Sequence, residues 1–146
     1  TFHYESSFHT DRLINLVKRS GAKAGIALNP ATSLSVLDYI LPQCDSILLM
    51  LINPGFATDK GEKQVSYADK KVKDLSELIR KNNLDVKIQV DGRVSLETIP
   101  KLVSAGADSL VVGSTSLFIP GNTISENKKL LDISISEGLK GGNFNG

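Results

Sequence analysis

The residue best placed for acid–base or metal chemistry is Asp91, which stands between an apolar segment and a glycine. Apolar and polar side chains alternate along Val86–Val90, and Asp91-Gly92-Arg93 follows directly. A carboxylate at the end of a strand can ligate a metal ion or transfer a proton. Asp-Gly is also common in plain turns, so the pattern leaves a structural reading open beside the chemical one.

Two further glycine turns follow apolar segments and are candidates for binding an anion. Asn53-Pro54-Gly55-Phe56 comes after the first of these segments, and Gly113-Ser114-Thr115 comes after the last. Glycine lets backbone N–H groups approach a ligand, and a following helix N-terminus adds partial positive charge. Met50 lies just before the first turn, where it serves equally well as core packing or as a wall of a site.

The elements that must position these residues are short apolar strands alternating with amphipathic helices. Such alternation with short loops is typical of a parallel α/β sheet with right-handed crossovers. The predicted strands are Thr1–Tyr4, Ala24–Leu28, Ser46–Ile52, Val86–Val90 and Ser109–Val112. The predicted helices begin at Thr10, at Thr32 or Ser33, near Val65, at Ser95 and at about Ser125, the last ending near Ser136.

Periodicity alone leaves two architectures open, an open doubly wound sheet and the C-terminal part of a (β/α)8 barrel. A whole barrel typically needs about 250 residues. In a barrel the apolar side chains of the fourth strand pack on the helices, so Lys87, Gln89 and Asp91 face inward. The loops after strands seven and eight of a barrel usually bind phosphate.

The composition bounds the class of protein. The 146 residues carry 17 basic and 16 acidic side chains, and this near balance gives no electrostatic argument for nucleic-acid binding. The single Cys44 fits a reducing compartment, so we expect a cytoplasmic protein. No apolar segment approaches the roughly 20 residues of a membrane span, so we expect no membrane partner. We expect one domain over residues 1–146, with residues 138–146 as a disordered tail.

Five motifs occur in an order that resembles the ribulose-phosphate 3-epimerase family. They are GIALNPAT (Gly25–Thr32), MLINPGF (Met50–Phe56), VDG (Val90–Gly92), AGAD (Ala105–Asp108) and VGS (Val112–Ser114). The resemblance runs from Thr1 to about Phe118 and implies strands four to eight of a (β/α)8 barrel. The expected fold class is therefore α/β, the C-terminal part of a TIM barrel of the ribulose-phosphate-binding kind.

The resemblance implies an isomerase that inverts carbon 3 of D-ribulose 5-phosphate to give D-xylulose 5-phosphate through an enediolate. It implies that Asp91 is both a ligand of a divalent metal (Zn, Fe or Mn) and a proton donor, with the remaining ligands expected upstream of Thr1. It also implies a sugar-phosphate substrate and a homo-oligomer. The implied substrate-binding residues are Met50, Gly55 and Phe56 near the substrate and Gly92, Gly113 and Ser114 in the phosphate clamp.

Two departures from the family pattern leave other functions open. Arg93 replaces the second glycine of Val-Asp-Gly-Gly, and Ala57-Thr58-Asp59 replaces Gly-Gly-Gln after Pro-Gly-Phe. Arg93 could bind phosphate as a charged fork or fill the space that glycine leaves open. The alternatives are an epimerase of a related hexulose phosphate, another sugar-phosphate lyase on the same barrel, and a non-catalytic phosphosugar-binding paralogue.

Overall fold

A computed structural model describes residues 1–55, 58–59 and 61–142 of the chain. These residues form one parallel sheet of five strands in the order β1-β2-β3-β4-β5, with helices between the strands. The strands are β1 (Phe2–His3), β2 (Gly25–Leu28), β3 (Ser46–Met50), β4 (Lys87–Asp91) and β5 (Ser109–Leu110). The α-helices are α1 (Thr10–Arg19), α2 (Ala68–Lys81), α3 (Ile99–Ser104) and α4 (Ile124–Gly141).

The strand order decides between the two predicted architectures. Each strand of the described chain pairs in parallel with its neighbour in sequence, and the order never reverses. A doubly wound sheet has a point at which the strand order reverses, whereas a (β/α)8 barrel adds its strands one after another. The fold is therefore part of a (β/α)8 barrel, as predicted.

The core lies between the sheet and its helices. The strand register places Ile26, Ile47 and Ile88 side by side in one row, and all three side chains are buried. Burying one such side chain stabilises the fold by roughly 1.5–3 kcal/mol, so this face fixes how each strand is oriented. The same core includes Leu28, Leu49 and Val90 from the next row and Ile14, Leu37, Val72, Leu75 and Leu102 from the connecting segments.

The opposite, concave face of the sheet carries the polar side chains of β4. Gln89 lies in a row with Leu48 and Ser109, and Asp91 lies in the next row beside Met50. Ile88 and Val90 point to the helices and are buried, while Gln89 and Asp91 are half-buried. This confirms the predicted alternation, because Asp91 stands on the inward face at the carboxyl end of its strand.

The segment after β2 differs from the prediction of one helix starting at Thr32 or Ser33. It forms two short 3-10 helices, Leu34–Leu37 and Leu41–Gln43. Leu34, Leu37 and Ile40 recur every three residues, which matches the three-residue turn of a 3-10 helix better than 3.6. The Ser33 side chain still caps the first of them by accepting a hydrogen bond from the Ser35 N–H.

The last helix is longer than predicted, because α4 continues to Gly141. A Cβ on Gly138 would lie 2.7 Å from Cβ of Val103 and 2.8 Å from the carbonyl oxygen of Pro100, so glycine lets α4 pack closely on α3. Residues 138–141 are therefore helical and not part of a tail, and 143–146 lie outside the described residues. No helix among the described residues is both long enough and apolar enough to cross a bilayer.

Candidate functional site

The turns after β4 and β5, which the family resemblance assigns to a phosphate clamp, line one cavity. β4 and β5 are adjacent, so Asp91-Gly92-Arg93 and Gly113-Ser114-Thr115 leave neighbouring strands at the same edge of the sheet. The cavity between them has a volume of about 170 Å³. It is lined by Ile52, Asp91, Gly92, Arg93, Val94, Val111, Val112, Gly113, Ser114 and Thr115. Thus the structure brings together four of the predicted site residues, Asp91, Gly92, Gly113 and Ser114.

Asp91 combines partial burial with a place on the concave face. The side chain is half-buried and its residue pairs with Met50 of β3. Within the described ranges, the ion pairs of the protein do not include Asp91. Its carboxylate therefore lines the cavity without a cationic partner, in a position where it can accept a proton, donate one or ligate a cation.

One carboxylate is not a metal centre. Catalytic metal sites commonly use about three protein ligands, and the described residues contain no group of three His, Cys, Asp or Glu side chains that could hold an ion. The described residues therefore do not form a complete metal site around Asp91. His3 lies on the same concave face, and its Nδ1 is 3.6 Å from the Glu5 carboxylate.

The turn after Asp91 has an unusual backbone. Gly92 and Arg93 both have positive φ angles, +117° and +50°. A Cβ on Gly92 would lie 2.9 Å from the backbone nitrogen of Ile52, so no side chain fits there. Arg93 adopts a left-handed conformation although it has a Cβ, which costs about 1–2 kcal/mol. The turn therefore needs support from its surroundings.

That support comes from the loop between β3 and α2. The Gln64 side-chain nitrogen Nε2 donates hydrogen bonds to the carbonyl oxygens of Gly92 (2.9 Å) and Arg93 (3.0 Å). In the other direction, Arg93 Nη2 donates to the carbonyl oxygen of Asp59 at 2.6 Å. The Asp59 carboxylate accepts a hydrogen bond from the Gly61 N–H within its own loop. Sequence reasoning missed Gln64, because a lone glutamine in a polar stretch carries no positional signal.

Gly55 and Phe56 belong to the same loop. Gly55 is exposed, has a φ of +92°, and a Cβ there would meet no atom within 4 Å. Phe56 lies outside the described residues. The structure therefore leaves the role of both residues over the substrate as a prediction.

The second wall of the cavity is a compact turn that closes on Gly113. The carbonyl oxygen of Gly113 accepts hydrogen bonds from the N–H groups of Ser116, Leu117 and Phe118 at 2.9–3.1 Å. Ser114 lies exposed at the start of this turn. Thr115 Oγ1 donates a hydrogen bond to the carbonyl oxygen of Val94 at 2.7 Å, which ties this wall to the segment after Arg93.

A second polar cluster, also missed from the sequence, supports the loop after β2. Lys71 of α2 is buried, and its Nζ donates to the carbonyl oxygens of Asn29 (2.9 Å), Pro30 (2.9 Å) and Thr32 (2.7 Å). Burial lowers the pKa of Lys71, and the nearby charge of Glu5 opposes that shift. Lys71 is therefore held inside the fold, although its charge alone favours a solvated position.

Comparisons with known proteins match the chain to one family. A family model described as the ribulose-phosphate 3 epimerase family matches residues 1–118. A protein named ribulose-phosphate 3-epimerase from Escherichia coli (strain K12) is 39% identical over 94% of this chain and 57% of its own length. One of the same name from Buchnera aphidicola subsp. Schizaphis graminum is 44% identical over 78% of this chain and 49% of its own length.

The match covers only part of the length of these relatives. The chain spans about half the length of the curated relatives it matches, including one from Methanocaldococcus jannaschii that is 44% identical over 47% of its length. A solved structure titled "Native KDPGal structure" aligns with 94% of this chain and 81% of its own at 14% identity. Its TM-score of 0.41 is too low to support an argument.

Proposed function

Because this chain belongs to the ribulose-phosphate 3-epimerase family, we propose that the protein epimerises a ketose phosphate at carbon 3. The proposed reaction converts D-ribulose 5-phosphate to D-xylulose 5-phosphate, a step of pentose phosphate metabolism. The observation that carries the proposal is the position of Asp91, on the concave face and at the edge of the cavity between the two glycine turns. A phosphate held between those turns places the sugar along the concave face, within reach of this carboxylate.

The reaction requires proton transfer at a carbon next to a carbonyl group. The hydrogen on C3 is α to the C2 carbonyl, so its removal gives an enediolate, and return of a proton on the opposite face inverts the centre. We assign Asp91 as the acid–base group on one face of that carbon. Positioned acid–base groups of this kind contribute about 10²–10⁴-fold to a rate.

The phosphate is held by backbone groups of the two turns in this proposal. Gly92 and Gly113 present the backbone without side chains, and the exposed Ser114 adds a hydroxyl. Arg93 lines the same cavity and contributes positive charge close to it. Met50, beside Asp91, is the proposed apolar wall, and Gly55 and Phe56 are the proposed loop residues over the substrate.

The family uses a divalent metal, and Asp91 is the one ligand that we propose for it, whether the ion is Zn²⁺, Fe²⁺ or Mn²⁺. A bound divalent ion would supply a Lewis acid for the substrate oxygens. The described residues alone do not complete such a site, so we derive no step through the ion. We also propose that the protein forms a homo-oligomer and that it is cytoplasmic.

The test is turnover of D-ribulose 5-phosphate by the full-length protein in a coupled assay, with Zn²⁺, Fe²⁺ or Mn²⁺ added in turn. We expect Asp91→Asn to lower kcat about 10²–10⁴-fold, because the amide cannot exchange a proton at the carbon. Asp85→Asn is the matched control, since Asp85 is 92% exposed before the amino-terminal end of the same strand. We expect this control to keep the activity of the parent.

Two outcomes would contradict the proposal. Equal turnover by the parent and by Asp91→Asn would exclude the role of Asp91, and no turnover by the parent would exclude epimerase activity. If the parent still bound the sugar phosphate, the non-catalytic phosphosugar-binding alternative would replace the proposal. A parent that turned over only a hexulose phosphate would correct the substrate while leaving the assignment of Asp91 intact.

A further inference from the structure

The carbonyl groups of the turn after Asp91 converge on one side-chain nitrogen. Gly92 and Arg93 are consecutive residues with positive φ, and both carbonyl oxygens lie within 3.0 Å of Gln64 Nε2. The side-chain amide of Gln64 has two N–H donors, one for each oxygen. A single residue of the loop before α2 therefore bonds both successive peptide groups of the turn in their unusual conformation.

The loop that carries Gln64 is closed without these two bonds. The Val65 N–H donates to the carbonyl oxygen of Leu51 at 2.9 Å, and the Asn53 N–H donates to the Glu62 carboxylate at 3.2 Å. These contacts join the two ends of the loop to each other. The hydrogen bonds from Gln64 leave the loop and reach the turn, so their effect falls on the turn rather than on loop closure.

Contacts on both sides of the turn also restrict its backbone. Gly92 is pressed against the backbone of Ile52 on one side, and Val94 is held by the Thr115 hydroxyl on the other. Between these two contacts, Gly92 and Arg93 line the cavity. Because a left-handed conformation is unfavourable at Arg93, it persists only where neighbouring groups fix it.

We propose that Gln64 is a positioning residue for the phosphate end of the substrate, acting through the Asp91–Arg93 turn. The inference rests on the proposed function for the identity of the ligand. Gln64 does not touch the substrate in this proposal. It fixes the direction of the two peptide groups that form one wall of the cavity, and so sets how well that wall fits a phosphate.

The variant Gln64→Met keeps the length of the side chain and removes both donors. We expect KM for D-ribulose 5-phosphate to rise about tenfold in the full-length protein, with a smaller change in kcat, since two hydrogen bonds to the turn are lost. Gln64→Glu should raise KM at least as much, because a carboxylate places negative charge against two carbonyl oxygens. Gln43→Met is the matched control, the same change in a segment that precedes the amino-terminal end of β3.

A merely structural role would lower the amount of active protein and leave KM unchanged. A KM within twofold of the parent for Gln64→Met, or an equal rise for Gln43→Met, would therefore overturn the inference. Hydrogen exchange measured by mass spectrometry gives a readout that needs no turnover. We expect residues 91–95 to exchange about tenfold faster in Gln64→Met and the sheet to be unaffected.

The two readouts separate the inference from the proposed function. If the parent has no epimerase activity, the proposed function fails, and the exchange rates alone then decide the role of Gln64. Unchanged exchange over residues 91–95 would overturn the inference whatever the turnover. Faster exchange there with an unchanged KM would also overturn it, since the turn would then not govern binding.

Discussion

Arg93 departs from the family pattern, and this departure affects both the backbone conformation of the turn and its contacts. It occupies a left-handed conformation, which explains why glycine suits this position, and its guanidinium donates a hydrogen bond to the carbonyl of Asp59. The two departures noted from the sequence, Arg93 and the segment ending at Asp59, therefore contact each other. The Asp59 carboxylate accepts a hydrogen bond from the Gly61 N–H and so is held within its own loop.

The backbone strain at Arg93 can be measured with a matched pair of substitutions. Arg93→Gly and Arg93→Ala both remove the guanidinium, but only alanine retains a Cβ at positive φ. In the full-length protein, we expect Arg93→Ala to have a free energy of unfolding about 1 kcal/mol lower than Arg93→Gly, measured by urea denaturation. Equal stabilities, or a more stable alanine variant, would mean that the turn relaxes without cost.

At the scale of elements, the loop after β2 is held by hydrogen bonds to α2 and to the 3-10 helix Tyr4–Ser6. Lys71 binds three carbonyl oxygens of this loop from α2. From the other side, the Glu5 carboxylate accepts hydrogen bonds from the Asn29 N–H and the Thr32 hydroxyl. The buried Lys71 and the more exposed Glu5 thus supply hydrogen-bond partners to a loop that leaves the sheet at the same edge as Asp91.

The contacts of Glu5 with the loop after β2 predict that the stability of the protein depends on pH. Burial acts to raise the pKa of Glu5, but hydrogen bonds from Thr32 and Asn29 outweigh it, and the pKa lies below the usual 4.5. A lowered carboxyl pKa gives a stabilisation that is present above pH 4.5 and is lost as the pH falls through the folded-state pKa. We expect Glu5→Gln to be about 0.5 kcal/mol less stable than the parent at pH 7, because solvent screens this exposed carboxylate, and we expect the difference to vanish in acid.

Urea unfolding of the full-length protein at pH 7 and at a series of pH values below 4.5 checks this prediction. The exposed Glu97 offers a matched control, since Glu97→Gln removes the same charge from a carboxylate in solvent. A difference in the free energy of unfolding between parent and Glu5→Gln that stays constant across the pH range would show that the charge of Glu5 does not help to hold the loop after β2.

The helices and strands were largely predictable because their side chains repeat along the chain. Val65, Ala68, Val72, Leu75 and Ile79 recur at helical spacing in one stripe; the last four are buried in α2, and Val65 lies half-buried just before it. Lys71 belongs to the same stripe by spacing, three residues after Ala68 and four before Leu75. Its charge suggested solvent, and only the folded loop supplies the three carbonyl groups that make its burial possible.

The site was predictable only in part, for a related reason. Asp91, Gly92, Gly113 and Ser114 follow strands that the pattern identifies, so their meeting at one cavity follows from a parallel sheet. Gln64 and Arg93 act through contacts between loops that are 28 and 34 residues apart in sequence from their partners. Such contacts depend on the path of irregular backbone, which residue periodicity does not encode.

At the scale of the molecule, the two faces of the sheet differ. The face toward the helices is buried along β2, β3 and β4, whereas the concave face carries half-buried Leu48, Met50 and Gln89. The outermost strands, β1 and β5, are two residues long and pair on one side only within the described chain. Unpaired strand edges beside partly exposed apolar side chains are prone to pair with other chains.

This asymmetry predicts how a chain of residues 1–146 behaves in isolation. We expect it to self-associate or to unfold without cooperativity, because among the described residues one face of the sheet is only partly buried and the outer edges of β1 and β5 are unpaired. Sedimentation velocity and a thermal unfolding curve measure these two properties. Val111→Lys adds a charge next to β5, where the Val111 side chain is 40% exposed, and should reduce the association. A monomer with a sharp, cooperative transition would mean that the helix-facing core alone specifies this fold.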